Sequence, residues 1–147
     1  MTEEFMNKAI QLSSESIGGP FGAIITKNNI IIAESSNSVI PDKDPTAHAE
    51  MCAIRSACKK LDSHCLNGCV LYTSCEPCCM CLSACYWAGI KEVYYANTRK
   101  DAESIGFSDK YIHTQLRLPH NKKSITLEKK ENKEAKKIFQ NWKGKIY

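Results

Sequence analysis

Two short stretches hold side chains that could do chemistry together: DPTAHAE, Asp44 to Glu50, and YTSCEPCCMCLSACYW, Tyr72 to Trp87. The second carries Cys75, Cys78, Cys79, Cys81 and Cys85. Each stretch reads as a helix start that follows a β element. Helix starts that follow parallel strands gather at one edge of a sheet, so His48 can face Cys78 and Cys81 across a cleft. One imidazole and two thiols form a soft to borderline donor set that suits zinc and leaves its fourth position for water. Cys78 and Cys81 are three residues apart, a spacing that puts both sulfurs on one helix face. The helix dipole and the metal both favour the thiolate form these ligands must take. Glu50 lies two residues beyond His48, within reach of the water without being a ligand. A carboxylate so placed is what a hydrolytic proton shuttle requires.

The other cysteines limit this reading. Cys75 precedes Cys78 by three residues, so a Cys75, Cys78 pair is the competing register, and Cys75 or Cys79 as a fourth ligand would make a closed structural zinc module with no catalytic role. Cys79 should point off the ligand face. Cys52, Cys58 and Cys85 fall inside helices and read as small buried apolar residues. His64, Cys65 and Cys69 border LNG and read as a connecting loop.

The elements that must position these groups follow from pattern. Phe5, Ala9, Leu12 and Ser16 recur at helical spacing and predict a helix from Thr2 to Ile17, stopped by Gly18, Gly19 and Pro20. GAIIT and IIIAES, joined through Lys27, Asn28 and Asn29, form a β-hairpin. Thr46 is the expected N-cap of a helix running to about Leu61. CVLYTS is a buried central strand, Pro77 opens a helix to Ala88 that Gly89 closes, and KEVYYAN is a fourth strand. A loop around Ile105 to Ser108, a short strand at SITLE and a helix from about Asn132 to Trp142 complete the chain. The expected fold class is α/β in three layers, with a mixed central sheet of about five strands and helices on both faces.

The chain has 147 residues, a size suited to a single domain spanning 1–147. It carries nine cysteines, an odd number, and its opening MTEEFMNKAIQL has no signal-peptide pattern, so a reducing, cytoplasmic setting is expected rather than a disulfide framework. No apolar run is long enough to span a membrane. The formal net charge of +4 permits nucleic acid as a partner without arguing for it, and KKSITLEKKENKEAKK reads as a solvated helix face.

His-x-Glu followed by Pro-Cys-x-x-Cys is the signature of zinc nucleobase deaminases, and the chain resembles the cytidine deaminase-like superfamily from its first helix through KEVYYAN. Within that superfamily it is most similar to the bacterial guanine deaminases, on PFGAII, Asn37, DPTAHAE, YTSCEPC, YWA, GFSD and a terminal aromatic, Tyr147. The resemblance implies one zinc per subunit on His48, Cys78 and Cys81, and hydrolytic deamination of guanine to xanthine and ammonia in purine salvage or catabolism. It further implies Glu50 as proton shuttle assisted by Asp109, and a base pocket formed by Phe21, Asn37, Ala49 and Tyr147. Cys79 departs from the family, where Pro is more usual between the ligands.

The partners so implied are a small-molecule nucleobase and a second copy of the chain. Such deaminases assemble through helices like CLSACYWAGI, and whether the segment from about 132 to 147 completes its own subunit's site or its neighbour's stays open. A tRNA-specific adenosine deaminase, a deaminase of cytosine or another small base, and the structural zinc module are the rival readings. The first would bind through a basic groove with steep salt dependence; GFSD and Tyr147 together argue against it.

Overall fold

The computed structural model describes residues 1–146. Residues 1–112 and 113–146 form two compact units, and the expectation for Tyr147 lies outside the described residues.

The first unit begins with α1 (Thr2–Ser14), then β1 (Gly22–Lys27) and β2 (Ile30–Ser36). Helix α1 stops three residues short of Ile17 because Ser13 and Ser14 turn their hydroxyls back onto the carbonyls of Ile10 and Gln11 at 2.7 Å each, a competing bond that ends helices. The hairpin turns on Asn28 and Asn29, whose φ values of 51° and 61° are those of a type I′ turn matching the strand twist. A short helix α2 (Val39–Asp42) precedes α3 (Ala49–Leu61), β3 (Cys69–Cys75), α4 (Cys79–Ala88), β4 (Glu92–Asn97) and α5 (Arg99–Ser104). Helix α6 (Lys110–Arg117) follows and crosses the boundary between the units.

The sheet order is β2-β1-β3-β4. Strand β1 is antiparallel to both β2 and β3, while β4 runs parallel to β3, so β2 and β3 point the same way. Alternate residues of one strand serve opposite faces. Ala23 and Ile25 of β1 pack with Ala53, Ile54 and Ala57 of α3 and with Cys85 and Ala88 of α4. Ile24 packs with Phe5 and Ala9 of α1 and with Tyr72 on the other face. Burial of side chains as large as Ile24, Ile25 and Leu71 stabilises the unit by about 1.5–3 kcal/mol each. Gly22 lets α1 approach β1, since a Cβ there would strike the carbonyl oxygen of Ala9.

The three-layer mixed arrangement therefore stands, with one correction: the sheet has four strands rather than five. Ser124–Glu128 forms no strand, and its Ile125 and Leu127 are exposed. A strand exists only against a partner, which the β propensity of Ile125 and Thr126 cannot supply. The second unit holds a 3₁₀ turn (His120–Lys122) and α7 (Lys133–Trp142), capped by Asn132, whose Oδ1 accepts from the Ala135 N–H at 2.9 Å. Lys123 Nζ donates to the Gln115 carbonyl at 2.6 Å. All nine cysteines are free. Among the described residues no helix is long and apolar enough to cross a membrane.

Candidate active site

Because β2 and β3 are co-directional, α3 and α4 begin at the same edge of the sheet, and the ligands sit at those beginnings. His48 is the N-cap of α3 (φ −63°, ψ 155°) and Cys78 the N-cap of α4 (φ −66°, ψ 171°). Both helices start later than pattern suggested. Thr46 is held instead in a turn by Asp44, whose Oδ1 accepts from the Thr46 N–H at 2.8 Å and from its hydroxyl at 2.7 Å. Neither N-cap side chain caps its own helix; the two are directed at each other.

His48 Nδ1 lies 3.6 Å from Cys78 Sγ and 3.6 Å from Cys81 Sγ. Tetrahedral zinc with nitrogen at about 2.0 Å and sulfur at about 2.3 Å sets those atoms about 3.5–3.6 Å apart, so the donor set fits the ion. Among the described residues no fourth His, Cys, Asp or Glu joins this cluster. Cys75 is excluded as a ligand, because its Sγ turns to the Thr98 carbonyl at 3.6 Å and burial pushes its thiol up to about 11. The hydrogen bond from Cys81, aided by His48, holds the Cys78 thiol down to about 4. The same bond, with burial, raises Cys81. His48 is raised by its bond to Cys78.

Glu50 sits in the first turn of α3, 6% exposed, and its Oε2 accepts from Cys81 Sγ at 3.6 Å. Burial raises its carboxyl above the usual range. A cavity of about 440 Å³ opens beside these groups, with Phe21, Asn37, His48, Glu50, Cys78 and Asp109 in its walls, a size suited to a small planar ligand. Asn37 is buried; its Oδ1 accepts from the Val39 N–H at 3.1 Å, which leaves its Nδ2 as donor. Gly18 makes room for it, as a Cβ there would lie 2.6 Å from Asn37 Oδ1. Phe21 meets Phe107 edge to face at 5.0 Å.

Ala49 lies at the first turn of α3. It is wholly buried in the core cluster behind the ligands, and its side chain is not part of the cavity wall. A residue between His48 and Glu50 faces away from both, so only its backbone can serve a ligand. Sequence reasoning missed Glu76, Arg99 and Phe107, which also line the cavity. A signal for Arg99 was present: Thr98 and Asp101 have capping-box spacing and form that box in the structure, which marks a helix start beside the site.

The zinc-binding region of cytidine and deoxycytidylate deaminases matches residues 1–97. The guanine deaminase of Bacillus subtilis (strain 168) is 46% identical over 146 residues, 97% of this chain and 94% of that protein. A tRNA-specific adenosine deaminase of Aquifex aeolicus (strain VF5) is 49% identical over 77 residues, 52% of this chain and 51% of that protein. The X-ray structure of guanine deaminase from Bacillus subtilis superposes with a TM-score of 0.93 at 46% identity, covering 96% of this chain and 92% of that one. Four-stranded mixed sheet, paired helix starts and a three-ligand cluster agree with this likeness, and the chain belongs to the zinc-binding cytidine and deoxycytidylate deaminase family.

Proposed function

We propose that this protein converts guanine and water to xanthine and ammonia. The observation that carries the reading is one cavity bounded both by the His48, Cys78, Cys81 cluster with Glu50 and by Phe21, Asn37 and Asp109. Likeness to a guanine deaminase over 97% of the chain favours guanine over the adenosine of tRNA, for which the match to the Aquifex relative spans about half.

His48, Cys78 and Cys81 would hold zinc, which would supply Lewis acidity and make water acidic enough for attack near neutral pH. Glu50 is placed to take one proton from the attacking water and deliver it to a ring nitrogen. Asp109 accepts a hydrogen bond from the exocyclic amine, and Glu50 passes the second proton of the attacking water to that amine, so that the C2–N bond breaks and ammonia leaves. Asn37, its Oδ1 engaged by Val39, donates from Nδ2 to a purine acceptor. The edge-to-face pair Phe21 and Phe107 gives the flat base an apolar wall. Ala49 contributes through its backbone alone.

The assembly that suits this reading is a homodimer. Helix α4 turns Cys81, Cys85 and Ala88 inward and leaves Leu82, Tyr86 and Trp87 exposed, Trp87 at 81%, an apolar face that a second copy would cover. Ile138, Phe139 and Trp142 of α7 are exposed too, which suits exchange of the C-terminal segment between subunits. Free cysteines throughout fit a reducing cytoplasm.

The test is to incubate the zinc-loaded protein in parallel with guanine, adenine, cytosine and a tRNA anticodon stem-loop, following ammonia and base conversion. Xanthine from guanine alone is expected. Inosine in the RNA with guanine untouched would overturn the substrate while leaving the zinc chemistry standing.

A further inference from the structure

The first residue of α5 puts a cation into the cavity wall. Arg99 Nε donates to Asp109 Oδ1 at 3.1 Å, and the Arg99 backbone N–H donates to Glu76 Oε2, also at 3.1 Å. Glu76 lies two residues before Cys78, and its own N–H donates to the Asn97 carbonyl at 2.8 Å. The Thr98 and Asp101 capping box fixes the backbone on which Arg99 stands. One residue therefore links the loop that leads into the Cys78 helix with the loop that carries Asp109. Asp109 stands three residues after Gly106, whose φ of +98° turns the chain between α5 and α6.

We infer that Arg99 is a positioning residue: its guanidinium holds the Asp109 carboxylate at the cavity and ties it to the Glu76 segment, so that a bound base meets Asp109 in one orientation. The inference rests on the role given to Asp109 above. The side chain of Arg99 is 36% exposed and that of Asp109 18%, so the pair adds little to stability. What it supplies is geometry, since a planar guanidinium fixes a carboxylate in a way a flexible ammonium does not.

The experiment measures kcat, KM, zinc content and Tm for Arg99→Met and Arg99→Lys, each made alone and with Asp109→Asn. Both variants keep the backbone N–H that reaches Glu76. Expected for Arg99→Met is a fall of about ten- to hundredfold in kcat, with KM, zinc and Tm nearly unchanged, and partial recovery in Arg99→Lys. In the Asp109→Asn background the same Arg99 changes should cost nothing further, which is how a residue acting through another behaves. An equal loss in both backgrounds, or parallel loss of zinc or Tm in both variants, would overturn the inference. So would unchanged kcat in Arg99→Met while Asp109→Asn is impaired. Full activity of Asp109→Asn would overturn the role of Asp109 and this inference with it.

Discussion

The two walls of the cavity differ in what holds them. At the starts of α3 and α4, Glu50 is 6% exposed and Cys81 is wholly buried, and the helices behind them pack into the sheet. The opposite wall comes from α5 and the loop after it, where Phe107 is 46% exposed and, among the described residues, nothing after Ile90 is buried. Of the metal-holding groups Cys81 is buried and His48 and Cys78 are half-buried, all at the starts of helices that pack into the core, so moving them means moving packed helices. Arg99, Phe107 and Asp109 stand on a surface segment tied by polar links such as that of Arg99 to Asp109, so their identity can change at little cost to the fold. Chemistry common to a family is expected on the first wall and substrate choice on the second.

This contrast can be broken from either side. Cys78→Ser should have the largest effect, with zinc lost and turnover down about a thousandfold or more; metal analysis beside a xanthine assay checks it. Retained zinc in that variant would place the ligand register elsewhere. Arg99→Met, described above, falls in the middle. The smallest effect is expected for Asn37→Asp, which keeps the acceptor for the Val39 N–H and removes the Nδ2 donor. KM for guanine should rise about tenfold, the worth of roughly one hydrogen bond, with zinc and Tm unchanged, as read from steady-state kinetics and thermal melts. A loss of zinc there would show that Asn37 supports the metal cluster as well as the base.

The sequence was most legible where local pattern and burial agree. A β-rich run marked β1, the buried apolar run CVLYTS marked β3, Asn28 and Asn29 marked the hairpin, and His48, Cys78 and Cys81 could be placed because helix starts after co-directional strands must share an edge. Legibility failed at helix starts, because His48 takes the N-cap position expected of Thr46, and Cys78 is the N-cap of a helix expected to open at Pro77. It failed again after β4, where Arg99 and Phe107 gain their place from contacts with Asp109 and Phe21, ten and 86 residues away in the chain. No periodicity records such contacts. Ser124–Glu128 reads as a strand by composition alone, yet a strand also needs an edge to join.

The most direct measurement of the central claim is xanthine formation by Glu50→Gln against the unaltered protein, each loaded with zinc and assayed for metal. Glutamine keeps the size and a hydrogen-bonding oxygen of Glu50 but cannot carry the proton. About one zinc per chain is expected in both, with a fall in kcat of about a hundred- to ten-thousandfold in the variant. Near-normal turnover with zinc in place would contradict the claim.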